Sequence, residues 1–110
     1  MVRLTLTAAR QFDELLDHFI TRDRPEAVDR LLAALRDALA RIEAYPASGT
    51  SYPANYPGAA RWGYRWIKVH RYWFAYSEHR GHLAVTNILF ETSDIPGRIA
   101  TEDDDVVDPP

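Results

Sequence analysis

The sequence lacks cysteine altogether and has a single lysine among its 13 basic residues. Without cysteine, disulfide bonds and cysteine-based zinc sites are excluded, and a cytoplasmic setting is the simplest interpretation. No apolar run approaches the roughly 20 residues that a membrane-spanning helix needs, so no membrane role is expected. A glycine-rich phosphate loop, a serine nucleophile elbow and a recognised histidine spacing for metal ligands are also missing. The sequence therefore predicts a protein with neither a bound metal nor a cofactor.

The acidic residues are distributed unevenly along the 110 positions. Five of the 16 acids lie in the last nine residues, at positions 102–105 and 108. The remaining 11 acids against 13 bases give residues 1–101 a net charge of +2. We therefore expect one mildly basic domain over residues 1–100, followed by an acidic, disordered tail over residues 101–110. A sharper hypothesis is that this tail folds back onto Arg61, Arg65 and Arg71 and competes with partners.

The first half of the chain predicts one strand and two helices. Apolar and polar residues alternate over positions 2–7, which indicates a strand with one buried face. Thr7 is expected to cap a helix over residues 8–21, in which apolar residues recur on one side. Pro25 opens a second helix that ends near Ala44. We expect these two helices to form an antiparallel hairpin.

The second half predicts a loop and three strands. Residues 46–60 are rich in proline and glycine, as is typical of a loop. Strands are expected over residues 61–69, 72–77 and 82–90. The first of these changes the parity of its apolar residues at Trp66-Ile67, where we expect a bulge. The order β-α-α-β-β-β predicts an α+β fold, with a helical hairpin packed on a small, mostly antiparallel sheet.

The segment from Arg61 to Tyr76 holds seven of the 13 aromatic residues, four of the 13 basic residues and no acid. Such a pattern is typical of a pleated sheet with one dry face and one cationic face. A cationic face would meet phosphate or an acidic protein segment, and exposed tryptophans would meet a protein partner. An aromatic core with solvated arginines is the alternative. The candidate partner-binding residues are Arg61, Arg65, Arg71, Trp62, Trp66 and Trp73.

Several short motifs, in this order, resemble those of the ParE/RelE superfamily of bacterial type II toxins. They are Tyr45-Pro46-Ala47-Ser48-Gly49 after the second helix, Arg61 at the start of the second strand, and Tyr72-Trp73-Phe74-Ala75-Tyr76 on the third. The resemblance covers residues 2–96. It implies a toxin that a cognate antitoxin binds and neutralises.

The superfamily contains two activities, and the resemblance bears on both. RelE-type members cleave messenger RNA on the ribosome with clustered Lys and Arg side chains. Here such a cluster would consist of Arg65, Lys68, Arg71 and Arg98, but Trp73 stands where those relatives carry a cation. ParE-type members lack the catalytic residues and poison DNA gyrase. The resemblance therefore favours a ParE-like toxin that acts by binding and is not an enzyme. A ribonuclease, or a degenerate toxin that binds only its antitoxin, is the alternative.

Overall fold

The computed structural model describes residues 2–54, 56–79, 81–92, 106–107 and 109. These residues include two α-helices, one 3-10 helix and five strands. In chain order they are β1 (Arg3–Thr5), α1 (Leu6–Thr21), α2 (Pro25–Ala44), the 3-10 helix (Pro57–Trp62), β2 (Arg65–Val69), β3 (Tyr72–His79), β4 (His82–Phe90) and β5 (Val106–Val107).

The five strands form one sheet in the order β2-β3-β4-β1-β5. β1 runs parallel to β4, and every other neighbouring pair is antiparallel. The helical hairpin lies against this sheet, with α1 packed on β4 and α2 on β2. The predicted α+β fold is therefore confirmed. No helix within the described residues is both long enough and apolar enough to cross a membrane.

α1 begins earlier than the sequence predicts. The Thr5 hydroxyl accepts a hydrogen bond from the Ala8 backbone N–H at 3.1 Å, so Thr5 and not Thr7 caps the helix. The same hydroxyl donates to the Thr86 carbonyl on β4 at 3.2 Å. One buried side chain thus caps α1 and ties β1 to its neighbour, and the chain passes directly from strand to helix. The prediction that the strand extends through residue 7 is wrong.

An apolar core closes the face of the sheet beneath the helices. Phe12 of α1 and Leu31 and Leu35 of α2 share this cluster with Phe74 and Val85 of the sheet, and all five are almost fully buried. The helical residues belong to the apolar stripes that the sequence shows at helical spacing. Full burial of each such side chain stabilises the fold by about 1.5–3 kcal/mol. We call this cluster the helix-face core.

The loop and 3-10 helix before β2 contribute to a second, separate core. Trp66, Trp73 and Leu89 form a buried cluster with Ala59 of the 3-10 helix and Ala75 of β3. We call it the loop-face cluster. The sheet is therefore packed with apolar side chains on both faces, whereas the sequence predicted one dry face and one cationic face.

Burial on both faces explains the change of parity in β2. Trp66 belongs to the loop-face cluster and Ile67 to the helix-face core, so neighbouring residues are buried on opposite sides. β2 pairs with β3 without a register shift, and the bulge predicted at Trp66-Ile67 is wrong. The shift lies between Ala75 and Tyr76 of β3, opposite which β4 inserts Thr86.

The strand predicted to open at Arg61 begins at Arg65. Residues Pro57–Trp62 form the 3-10 helix, and Gly63 follows it with a φ of 75°. This left-handed conformation is open to glycine without the steric penalty that other residues meet. Arg61 and Trp62 therefore lie on the covering segment and not on the sheet.

Part of the C-terminal region forms a strand. Val106–Val107 make up β5, which pairs antiparallel with β1. The disorder predicted for residues 101–110 does not extend to these two residues, and positions 101–105, 108 and 110 lie outside the described residues. β5 is at the opposite edge of the sheet from β2. It therefore does not lie beside Arg65, where the fold-back hypothesis placed the tail.

Candidate partner-binding surface

The candidate cations are spread over three places in the fold. Arg61 lies on the 3-10 helix, Arg65 and Lys68 lie on β2, and Arg71 lies in the turn between β2 and β3. Arg98 lies outside the described residues. Each place has a different environment, and the single cationic face expected from the sequence is not formed.

Arg65 holds the loop that covers the sheet. Its Nη1 lies 3.3 Å from the Ala47 carbonyl oxygen and 3.3 Å from that of Gly49, and it donates to both. Beside it, the Tyr76 hydroxyl accepts from the Gly49 N–H at 2.9 Å and donates to the Pro46 carbonyl at 2.8 Å. A Cβ at Gly49 would stand 2.7 Å from the Tyr76 hydroxyl oxygen, so glycine permits this close approach.

The same loop pairs with the outer edge of β2 and buries two of the candidate tryptophans. Thr50 and Trp66 exchange two backbone hydrogen bonds of 2.8 Å each. Trp66 is 1% exposed and Trp73 9% exposed. This placement corrects the predicted aromatic patch, because neither side chain meets a partner unless the loop moves. Trp62, the third candidate tryptophan, is half-buried.

A carboxylate occupies the cationic end of the β2–β3 hairpin. Glu91 Oε2 lies 3.0 Å from Lys68 Nζ, and its Oε1 lies 2.8 Å from Arg71 Nε. The Glu91 backbone N–H also donates to the Arg71 carbonyl at 2.9 Å. Hydrogen bonds from Lys68 and then from Arg71 hold the pKa of Glu91 below its usual range. The acid is therefore ionised at neutral pH and engages both cations.

An exposed cation–aromatic patch lies on the 3-10 helix. The guanidinium carbon of Arg61 is 4.1 Å from the centre of the Trp62 ring, which is within cation–π range. The Tyr56 ring centre is 6.4 Å from that of Trp62, and its hydroxyl lies 3.5 Å from Arg61 Nη2. Arg61 is exposed and both rings are half-buried. We call Tyr56, Arg61 and Trp62 the Arg61 patch. Arginine and aromatic side chains are enriched at protein interfaces.

An open groove of about 420 Å³ runs beside the outer edge of β2. Tyr52 contributes an exposed ring to its wall, and Lys68 contributes a cation. Lys68 Nζ lies 5.8 Å from the centre of the Trp73 ring. Arg41 contributes a second cation, so the groove combines an apolar wall with two positive charges. We call it the β2-edge groove.

Outside these clusters, the described titratable groups include an exposed histidine–aspartate contact. His70 Nε2 lies 3.5 Å from Asp37 Oδ2, and both side chains are exposed. Burial raises the pKa of Tyr72, so its hydroxyl stays protonated at neutral pH. Over the described part of the chain, no three His, Asp or Glu side chains are grouped in a way that would hold a metal ion.

Three residues that organise the surface were not predicted as site residues: Gly49, Tyr76 and Glu91. The sequence did single out Tyr45–Gly49 and Tyr72–Tyr76 as separate motifs, but their hydrogen bonding to each other spans 27 residues. Glu91 stands directly after an apolar strand and interacts with a basic turn 20 residues earlier. An acid at that position could have indicated an ion pair with a basic residue. Its partners could not be identified from the sequence, because they depend on how the strands pair.

The chain matches the model of a known protein family. A family model described as the ParE toxin of type II toxin-antitoxin system, parDE, matches residues 2–89. This match spans β1 through nearly all of β4, including both helices and the loop that covers the sheet. No curated protein matches the chain significantly.

Proposed function

The chain belongs to the ParE toxin family of type II toxin–antitoxin systems, and from that premise we propose that it acts by binding. Its proposed target is a cellular protein such as DNA gyrase, and a cognate antitoxin neutralises it. We also propose a cytoplasmic location, where such a target and antitoxin are found. Family membership supports a toxin in general; the state of the candidate cations supports binding over catalysis.

The observation that carries this proposal is that three of the four candidate catalytic cations are already engaged. Arg65 donates to two loop carbonyls, and Lys68 and Arg71 share the carboxylate of Glu91. A ribonuclease without an acid–base histidine pair needs free cations to stabilise the pentavalent phosphorus. Arg65, Lys68 and Arg71 would each have to leave its present partner to reach a phosphate. Their engagement therefore favours binding over RNA cleavage.

The Arg61 patch is one surface that we propose for the antitoxin. Arg61 presents an exposed positive charge above the aromatic ring of Trp62, which suits an acidic segment with apolar side chains. The β2-edge groove adds an apolar wall and the exposed Arg41. Trp66 and Trp73 support the groove from beneath and are not proposed as contacts.

Controlled induction without the antitoxin tests the proposed target. Gyrase poisoning predicts double-strand DNA breaks and the SOS response within the cells. With purified gyrase it predicts accumulation of cleaved DNA. Messenger RNA cut at ribosomal positions, with intact DNA, would contradict the proposal and favour the ribonuclease. A protein that produces neither lesion but still binds the antitoxin would indicate a degenerate toxin.

Binding measurements with the cognate antitoxin test the proposed surface. The double variant Arg61→Ala/Trp62→Ala is expected to bind at least tenfold more weakly, because arginine and tryptophan commonly dominate interface energies. The matched control is Arg36→Ala, which removes an exposed arginine from α2. Equal affinities for the two variants would show that the Arg61 patch is not part of the interface.

A further inference from the structure

The two edges of the sheet are closed in different ways. At the β2 edge, Thr50 of the covering loop bonds to Trp66 as part of a well-anchored segment. At the other edge, β1 is covered by β5, which consists of Val106 and Val107 alone. A strand edge presents a row of backbone N–H and C=O groups, and an extended segment that pairs with them adds to the sheet.

β5 shows the kind of segment that this edge accepts. Leu4 lies opposite Val107 and Thr5 opposite Val106 in antiparallel register. Val107 also packs against the helix-face core. In sequence, the two β-branched residues are flanked by acids at positions 102–105 and 108. Arg3, an exposed residue at the start of β1, supplies a positive charge at the same edge.

We propose that the outer edge of β1 is a docking site for an extended acidic segment of the antitoxin, and that Val106–Val107 compete with that segment for it. The identity of the partner rests on the function proposed above. The resident strand covers two residues of β1, so an antitoxin strand that pairs over a longer stretch would displace it.

The competition has an expected size. A segment tethered to its own binding site acts at roughly millimolar effective concentration. If β5 paired with β1 is favoured about tenfold over β5 detached from it, the partner's apparent affinity for the edge falls about tenfold. The same segment added as a free peptide would then bind an opened edge with a dissociation constant on the order of 0.1 mM.

A peptide experiment tests the edge without any antitoxin. The probe is a labelled peptide with the sequence of residues 101–110, and the proteins are the full chain and its Val106→Asp/Val107→Asp variant. The peptide is expected to bind the variant at least tenfold more tightly than the wild type. A peptide carrying the same two substitutions is expected to bind neither protein. Equal binding to both proteins, or binding to neither, would overturn the proposal.

The antitoxin experiment then tests the partner. The double variant is expected to bind the antitoxin about tenfold more tightly than the wild type, with the milder Val107→Ala variant between them. Thermal unfolding of each variant checks that the sheet is intact. Unchanged or weaker affinity overturns the proposal. An antitoxin that binds no form of the protein overturns the partner's identity and the function proposed above, and the peptide result distinguishes that failure from a failure at the edge.

Discussion

The two faces of the sheet are both dry, but different interactions close them. The helix-face core is covered by two regular helices whose own backbone groups are paired within each helix. The loop-face cluster is covered by an irregular segment, which depends on specific contacts from Arg65, Tyr76 and Thr50. Loss of apolar volume should therefore matter most on the helix face. Loss of a single hydrogen bond, or an added atom that prevents the loop from approaching the sheet closely, should destabilise the loop face most.

The largest effect is expected on the helix face. Phe74→Ala removes a fully buried ring and leaves a cavity, so the free energy of unfolding should fall by about 3–5 kcal/mol. This is a large part of the roughly 5–15 kcal/mol that a small domain has. Urea unfolding measures it, and Phe74→Leu serves as a milder variant that should lose less than half as much. A loss below about 1 kcal/mol for Phe74→Ala would contradict the assignment of the main core to this face.

The next effect is expected where the loop approaches β2 most closely. In Gly49→Ala the new Cβ would lie 2.7 Å from Tyr76 Oη and 2.9 Å from the Arg65 Cβ, so the loop must shift. Overpacking of this kind destabilises by about 1–3 kcal/mol. Tryptophan fluorescence should move to the red as Trp66 becomes hydrated. Ser48→Ala, an exposed neighbour in the same loop, is the control and should leave the spectrum unchanged.

A smaller effect is expected from removing one hydroxyl. Tyr76→Phe deletes the group that bonds to Gly49 N–H and to the Pro46 carbonyl. Because the freed loop groups can reach water, the loss should be about 0.5–1.5 kcal/mol. The matched control is Tyr72→Phe on the same strand, because the rings of Tyr72 and Tyr76 both lie in the helix-face core and, of the two, Tyr76 is the one that bonds to the loop. If both variants respond equally in urea unfolding and in tryptophan fluorescence, the hydroxyl contacts do not hold the loop.

The smallest effect is expected in the pH dependence of Glu91→Gln. The folded-state pKa of Glu91 is lowered, so its ion pairs stabilise the fold at neutral pH, and this stabilisation is lost as pH falls below 4.5 through the folded-state value. The wild type should therefore be more stable than the variant at neutral pH, and the difference should vanish in acid. Glu78→Gln on β3 is the control. A difference that persists unchanged at low pH would exclude this ion-pair contribution.

Much of the fold could be predicted because it depends on local patterns. The apolar stripes of the two helices and the alternation in the strands report which sides of each element are buried. The errors occurred where a distant contact decides the local structure. Thr5 caps α1 while bonding to Thr86, 81 residues away in sequence. In a strand with one buried face, the adjacent apolar residues Trp66-Ile67 indicate a bulge. In a strand covered on both faces, the same two residues are buried on opposite sides and no bulge is needed.

The candidate site was less predictable than the fold. Residue types identified Arg61, Arg65 and Arg71 as cations, but their freedom to bind depends on which groups lie beside them. Arg65 is held by loop carbonyls and Arg71 by Glu91, while Arg61 is exposed above Trp62. The buried positions of Trp66 and Trp73 follow from the path of the covering loop, which carries no regular periodicity.

By itself the sequence determined the order of the two helices and of β1 to β4, the helical hairpin and membership of the toxin family, because these depend on local periodicity and short motifs. The tertiary structure alone decided that both sheet faces are dry, that Glu91 engages Lys68 and Arg71, and that Val106–Val107 occupy the β1 edge. The physical reason is the same in each case. Burial, charge pairing and strand addition join residues far apart in the chain, and their energies depend on distances that a linear pattern does not contain.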